Sequence, residues 1–260
     1  MASHFGSIGF VFADQQEFAA RVVELARVGD AHYLDGEFCD YIWTDTSGAR
    51  VVVLTRSGSI QEMLPCLAGG GAPIRVHAAE MFDAEVATVN LQTDDGADIC
   101  PLLVELEDRT LLAREGKLEE GRLRLAALAE EISIHADADA YYASQDGDGL
   151  KFSADHLVPA GMFGPEPRAL AMLAAKVIDV EQRTNTMTGA PFYWMRVQGI
   201  SEIEFDVAVQ DGLVDTAPEP DNVISGMFFM TGNLGLDYPQ GPQPSAKAAA
   251  GTAKRRWFRR

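Results

Sequence analysis

The sequence predicts an α+β fold that is rich in strands. Short apolar or alternating segments bounded by turn residues recur along most of the chain, and such segments are typical of strands. The clearest helical pattern is a single one near the N-terminus. The composition, 47% hydrophobic and 23% charged in 260 residues, is that of an ordinary globular protein with a sizeable core.

Residues 1–67 are predicted to form a βαβββ unit. A buried strand is expected over 6–12, GSIGFVF. A helix follows, because Asp14 and Glu17 have the spacing of a capping box, and Gly29 ends it. Two turns with hairpin chemistry, DTSGA and SGS, join the last three strands. Those strands are FCDYIWT, ARVVVLTR and SIQEMLPCL.

Glycine- and proline-rich segments divide the rest of the chain. After AGGGAP, residues 73–160 are predicted to be a β-rich middle region that packs on the βαβββ unit. Within it, GRLRLAALAEEISIHA fits either a helix or a strand, and DADAYYASQ has the pattern of a short capped helix. After the loop GMFGPEP, residues 168–236 read as four strands forming a small β domain. Residues 237–260 are predicted to be a disordered linker and tail.

Three resemblances accompany this organisation. The element order over 5–67, together with WTDTSGARVVVL, resembles the βαβββ module of the vicinal oxygen chelate, or glyoxalase-like, superfamily. The element order of 168–236 resembles a small OB-like barrel. The segments SHFGSIGF, AYYAS and RTNTMTGAPFYW make the whole chain similar to an uncharacterised bacterial protein family, which implies no activity.

The glyoxalase-like resemblance implies metal ligands. Enzymes of that superfamily place a His on an early strand and a Glu on a late strand of each module. His4 with Glu62 would be a first pair, and His77 with Glu105 a second pair. However, the five histidines have no close spacing, which is a poor pattern for a metal site. We therefore expect no cofactor and keep the metal site as an alternative.

Charge separates an acidic body from a basic tail. Residues 245–260 contain six of the 21 basic residues and no acidic one, so the other 244 residues carry 15 basic and 39 acidic residues, a net charge of −24. An acidic body repels phosphate, so no nucleic acid is expected on the folded part. The tail is the expected binding element for an anionic surface or a protein partner. Its surface-binding residues are Lys254, Arg255, Arg256, Trp257, Phe258, Arg259 and Arg260.

Cysteine usage and hydropathy predict a cytoplasmic protein. The three cysteines form no Cys-x-x-Cys pair, which indicates buried thiols in a reducing compartment. The start of the chain, MASHFGSIGF, lacks the basic and apolar regions of a signal peptide. No apolar run approaches eighteen residues, so no transmembrane segment is expected. A homo-oligomer remains open.

The aromatic strand PFYWMRV poses the main functional alternative. An OB-like barrel that binds a single nucleic-acid strand presents aromatic side chains in a positive groove. Alternation places Trp194 and Arg196 on one face of this strand, and Glu202, Glu204 and Asp206 line one face of the next strand. Three carboxylates beside the aromatic strand oppose phosphate, so we predict that Trp194 is part of a buried wall.

A non-catalytic interaction or binding module is the function that these observations favour. The motifs of serine hydrolases, zinc peptidases and P-loop proteins are missing from the sequence. A glyoxalase-like metal-dependent enzyme is the first alternative, and a single-strand nucleic-acid binder of OB type is the second.

Overall fold

The computed structural model describes residues 4–69, 71–145, 149–164 and 166–239, and the chain divides into two compact units. The first unit comprises Met1–Val11, Asp45–Arg50 and Pro65–Leu236, and the second comprises Phe12–Thr44, Val51–Leu64 and Asp237–Arg260. Strands dominate and helices are few, so the α+β, strand-rich fold is confirmed. The ranges 73–160 and 168–236 both lie in the first unit.

Helix α1 (Gln15–Val28) begins and ends where the sequence predicts. Asp14 accepts hydrogen bonds from the backbone N–H groups of Gln16 and Glu17, each at 2.8 Å. The Glu17 carboxylate in turn accepts at 2.8 Å from the N–H of Ala13, the residue before the N-cap, which is a variant of the capping box. Gly29 follows as the last capping residue. The helix is therefore fixed by local hydrogen bonds, which is why the sequence alone locates it.

A four-stranded sheet follows α1, with its strands in the order β1-β2-β3-β4. The strands are β1 (Asp30–Tyr33), β2 (Phe38–Thr44), β3 (Ala49–Arg56) and β4 (Ser59–Leu67). The last three are the predicted strands. The pattern analysis missed β1, which is only four residues long and carries no alternation of buried and exposed positions.

The predicted strand over 6–12 is wrong. Gly6–Ile8 forms a single 3-10 turn, and Gly9 has a φ of 78°, a left-handed conformation that interrupts extended backbone. Ile8 and Phe10 are nevertheless fully buried. The apolar pattern thus indicated the burial of these two side chains, although Val11 is 55% exposed. The element order over 5–67 is a turn, one helix and four strands rather than βαβββ.

Among the described residues of the first unit, ten further strands form one sheet. They are β5 (Ile74–Met81), β6 (Ala87–Gln92), β7 (Asp98–Leu106), β8 (Lys117–Leu118), β9 (Gly121–His135), β10 (Leu157–Val158), β11 (Leu170–Thr184), β12 (Pro191–Gln198), β13 (Glu204–Gln210) and β14 (Val223–Asn233). Two short helices accompany them, α2 (Arg109–Glu115) and α3 (Ala138–Ser144). The predicted cap of α3 is present, because Asp137 accepts from the N–H of Ala140 at 2.8 Å.

The strand pairings form two closed circuits that share β9 and β14. One circuit runs β5-β6-β7-β14-β9 and returns to β5, and the other runs β11-β12-β13-β9-β14 and returns to β11. In the first circuit β7 is parallel to β14, and in the second β13 is parallel to β9. All other pairs in the two circuits are antiparallel. A single hydrophobic cluster contains side chains of both circuits.

Strand β9 resolves the ambiguous segment of the sequence. Although residues up to Glu131 have high helix propensity, 121–135 is one continuous strand. Its alternate side chains Leu123, Leu125, Ala127 and Ala129 belong to the common core. Pairing with β5, β13 and β14 outweighs the local preference, because propensity amounts to only about 1 kcal/mol or less per residue.

The four predicted strands of 168–236 are confirmed as β11 to β14. They do not close on themselves, however. The circuit that contains them requires β9, which lies outside this range and separates β13 from β14. The small β domain predicted from 168–236 alone therefore lacks one of the strands of its circuit.

Gly226 allows β9 and β14 to pair closely, and its replacement tests this arrangement. It has a φ of 156°, and a Cβ at this position would lie 2.0 Å from the carbonyl oxygen of Glu131. We expect Gly226→Ala to lower the free energy of unfolding by about 2–4 kcal/mol, through overpacking and backbone strain. Gly212→Ala is the control, since a Cβ there would meet no atom within 4 Å. Equal urea midpoints for the two variants would contradict the close-packing role.

Candidate functional site

A polar cleft on the first unit is the strongest candidate site. It is formed where the end of β11 meets two loops, 45–48 and 68–69, and it encloses about 610 Å³. Its walls are mostly polar side chains and glycine backbone. The lining residues are Asp45, Thr46, Ser47, Gly48, Ala68, Gly69, Glu181, Gln182, Arg183 and Thr184.

Asp45 fixes the first loop of the cleft against the turn after β11. Its carboxylate accepts the backbone N–H of Ser47 at 3.2 Å and that of Thr186 at 3.1 Å. The hydroxyl groups of the same two residues also donate to it. Burial raises the pKa of Asp45, but these hydrogen bonds outweigh burial and leave the pKa below its ordinary value. Asp45 is thus a buried, ionised anchor rather than a group that exchanges protons near neutral pH.

Arg183 forms the inner wall of the cleft and is held on three sides. Its Nε donates to Glu181 at 2.8 Å, and its Nη1 donates to the carbonyl oxygen of Ser47 at 3.1 Å. Its guanidinium carbon lies 4.0 Å from the centroid of the Trp194 ring, a cation–π contact. The structure gives Nη2 of Arg183 no partner within the ranges it describes. One donor group of a preorganised guanidinium therefore remains for a ligand.

A second pair of opposite charges, Arg196 on β12 and Asp206 on β13, lies behind the cleft. The guanidinium carbon of Arg196 lies 5.5 Å from the centroid of the same Trp194 ring, and its Nε donates to Asp206 at 2.6 Å. Gly69 packs against the same carboxylate, because a Cβ there would lie 2.7 Å from Asp206 Oδ2. Arg183 and Arg196 are therefore each hydrogen-bonded to a neighbouring carboxylate.

The predicted buried wall is confirmed. Phe192 is fully buried and Trp194 is 8% exposed, whereas Met195 and Val197 on the opposite face of β12 belong to the common core. The outer face of β12 is covered by other segments of the first unit. The Asn185 side chain donates to the carbonyl oxygen of Ile8 at 2.9 Å, next to the ring of Phe192.

The structure places the four predicted metal ligands in unrelated surroundings. Nε2 of His4 lies 2.6 Å from a carboxylate oxygen of Glu130, and the ring stacks on Phe229 at 4.0 Å. Glu62 lies on β4, half-buried, in the second unit. His77 is exposed on β5 and Glu105 half-buried on β7, with β6 between these strands.

No group of three or more His, Cys, Asp and Glu side chains is arranged to hold a metal ion within the described part of the chain. His4, Glu62, His77 and Glu105 are therefore not part of any such group. Glu130, the residue that His4 contacts, lies 126 positions away in sequence and gave no signal there.

A second polar cluster is buried at the end of β7. Glu107 is 3% exposed and accepts from Nη1 of Arg50 at 2.7 Å, while Asp108 accepts the backbone N–H groups of Leu234 and Leu236, each at 3.0 Å. Burial raises the pKa of both carboxyl groups despite these hydrogen bonds. The cluster ties the start of α2 to Arg50 and to the segment after β14, so we assign it to stability.

None of the three cysteines, all of which lie among the described residues, forms a disulfide; Cys39 and Cys66 are buried as predicted, whereas Cys100 is half-buried. Burial raises the pKa of both thiols, and that of Cys66 lies well above its ordinary value. Such thiols are mostly protonated near neutral pH, which makes them poor nucleophiles.

Sequence reasoning missed Asp45 and Glu181 as site residues. Glu181 and Arg183 are two positions apart on a predicted strand, so their common face could have been inferred. Nothing in the sequence indicated that DTSG would lie beside them.

The predicted tail, 254–260, lies outside the described residues. Among the residues that are described, no helix is both long and apolar enough to cross a membrane.

Replacing Trp194 tests the wall. We expect Trp194→Ala to lower the free energy of unfolding by about 3–5 kcal/mol, because a large buried ring is removed. Trp194→Phe is the matched control, because it keeps an aromatic face for Arg183. The structure shows no partner for Nε1 among the residues it describes, so no hydrogen bond is lost with the indole. We therefore expect this variant to lower the free energy of unfolding by less than about 1.5 kcal/mol. Urea unfolding followed by far-UV circular dichroism measures both. An unchanged midpoint for Trp194→Ala would contradict burial.

No protein-family model, curated protein or solved structure matches this chain.

Proposed function

We propose that the protein is a non-catalytic binding module of the cytoplasm, and that the cleft beside β11 is its ligand site. We also propose that the two strand circuits are OB-like barrels, each of five strands as in that fold. On this proposal the second barrel takes β9 as its fifth strand. The loop between β11 and β12 lies beside the cleft, and loops of this kind contact ligands in OB folds.

The observation that carries the proposal is that hydrogen bonds already fix the charged side chains Asp45 and Arg183 of the cleft. A catalytic acid or base needs a pKa near the working pH. The pKa of Asp45 is instead lowered, and both its oxygens are occupied by hydrogen bonds from Ser47 and Thr186. Arg183 is fixed by Glu181, Ser47 and Trp194. A rigid, polar, charge-matched surface favours recognition over proton transfer.

The burial of Trp194 weighs against the single-strand alternative. A stacking platform needs an exposed aromatic face, whereas this ring is 8% exposed and two arginine side chains lie against it. The ion pair of His4 with Glu130 likewise weighs against the implied metal pair of His4 with Glu62.

A thermal-shift screen of polar metabolites tests the binding function. Compounds that raise the melting temperature of the wild-type protein should fail with Thr46→Arg, since Thr46 is exposed in the cleft and an arginine there fills it. Thr216→Arg, on an exposed loop, is the matched control. The ligand should be recovered chemically unchanged. Hits that are unaffected by Thr46→Arg, or that the protein converts, would contradict the proposal.

We further propose that the basic tail binds an anionic surface or a protein partner. The argument rests on sequence: residues 254–260 contain five basic and two aromatic residues, opposite in sign to the acidic body. Each basic residue near an anionic membrane contributes roughly 1 kcal/mol.

Vesicle binding tests the tail. The wild-type protein should co-sediment with anionic vesicles at low salt, and a full-length variant with the five basic residues of 254–260 replaced by Gln should not. Binding should fall between low and physiological salt, because exposed charges are screened over about 8–10 Å. Neutral vesicles are the control. Equal co-sedimentation of the two proteins would exclude the membrane role and leave a protein partner.

A further inference from the structure

We infer that the cleft recognises an uncharged ligand with adjacent hydroxyl groups, such as a saccharide. The inference rests on the proposed binding function and names its ligand class. It depends on how donors and acceptors are arranged along the wall formed by β11.

A carboxylate acceptor and a guanidinium donor lie side by side at this wall. Glu181 and Arg183 are two positions apart on β11, face the same side and are hydrogen-bonded to each other at 2.8 Å. The Glu181 side chain is 61% exposed, and the structure assigns only one of its oxygens to Arg183. Because the pair is already fixed, it loses little side-chain entropy when a ligand binds.

A hydroxyl group is the ligand that satisfies such a pair. It donates to a carboxylate through its hydrogen and accepts from a guanidinium through its oxygen. Two adjacent hydroxyls can therefore engage Glu181 and Arg183 together. A ligand carboxylate would be repelled by Glu181, and a ligand ammonium by Arg183.

The remaining walls fit the same class. Thr46 and Thr184 are exposed and supply hydroxyl groups that both donate and accept. Asp45 adds negative charge, but its oxygens are taken by Ser47 and Thr186. The exposed charges of the lining are thus one carboxylate and one guanidinium, which balance. The volume of about 610 Å³ is in the range of small-molecule sites.

Titration of the full-length protein with methyl α-glucoside and methyl α-mannoside, followed by amide NMR, tests the inference. The backbone signals of Gly48, Gly69 and Thr184 should shift and saturate with at least one glycoside. Glu181→Gln and Arg183→Lys should each raise Kd about tenfold, the effect of losing roughly 1.4 kcal/mol in one hydrogen bond to a charged group. Glu202→Gln, an exposed carboxylate outside the cleft, should leave Kd unchanged.

Four results would overturn the inference. The first is no saturating shift with either glycoside up to about 100 mM, where even a few hydrogen bonds hold a small ligand. The second is tighter binding of acetate or propylammonium at the same amides. The third is an unchanged Kd in both cleft variants. A charged metabolite found in the thermal-shift screen would overturn the ligand class while leaving the binding function intact.

Discussion

The antiparallel pairing of β9 with β14 is the constraint on which the first unit depends. Each of these strands belongs to both closed circuits, so neither circuit is complete without residues from the other half of the chain. Their side chains contribute to one core, which includes residues from Ile74 to Leu234. The two halves of this unit therefore cannot bury their apolar surface independently, and local changes in the shared pair affect both circuits.

The cleft is a consequence of how the outer face of the second circuit is covered. Strands β11, β12 and β13 direct one set of side chains into the core and another set outward. The outward set includes Trp194, Arg196 and Asp206, which would be costly to bury without partners. These side chains have partners in the structure: Arg183 and Arg196 lie against the indole ring. The loops at Ser47 and Gly69 pack against Arg183 and Asp206, respectively. The space left between these loops and β11 is the cleft.

Charge therefore has two different roles in this molecule. In the first unit, buried carboxylates such as Asp45, Asp108 and Asp206 each accept hydrogen bonds from a defined partner and fix loops to strands. Carboxylates fixed in this way hold the backbone and neighbouring side chains in place, as Asp45 does at the cleft. The excess negative charge of the body and the positive charge of 245–260 are by contrast features of composition. They bear on partners at long range.

The sequence by itself determined what depends on neighbouring residues. Helix α1 and its cap, the hairpin turns, most strands and the burial of Trp194 follow from capping, turn chemistry and side-chain alternation, all of which act within a few residues. The sequence failed where a local pattern is compatible with two structures. At GSIGFVF, glycine permits a turn that buries Ile8 and Phe10 as a strand would. Only the tertiary structure decided that 121–135 is a strand, that β9 completes the circuit of β11 to β14, and that Asp45 lies beside Arg183. These features join residues at least 80 positions apart, or set pairing energy against local propensity, and no short-range pattern encodes either.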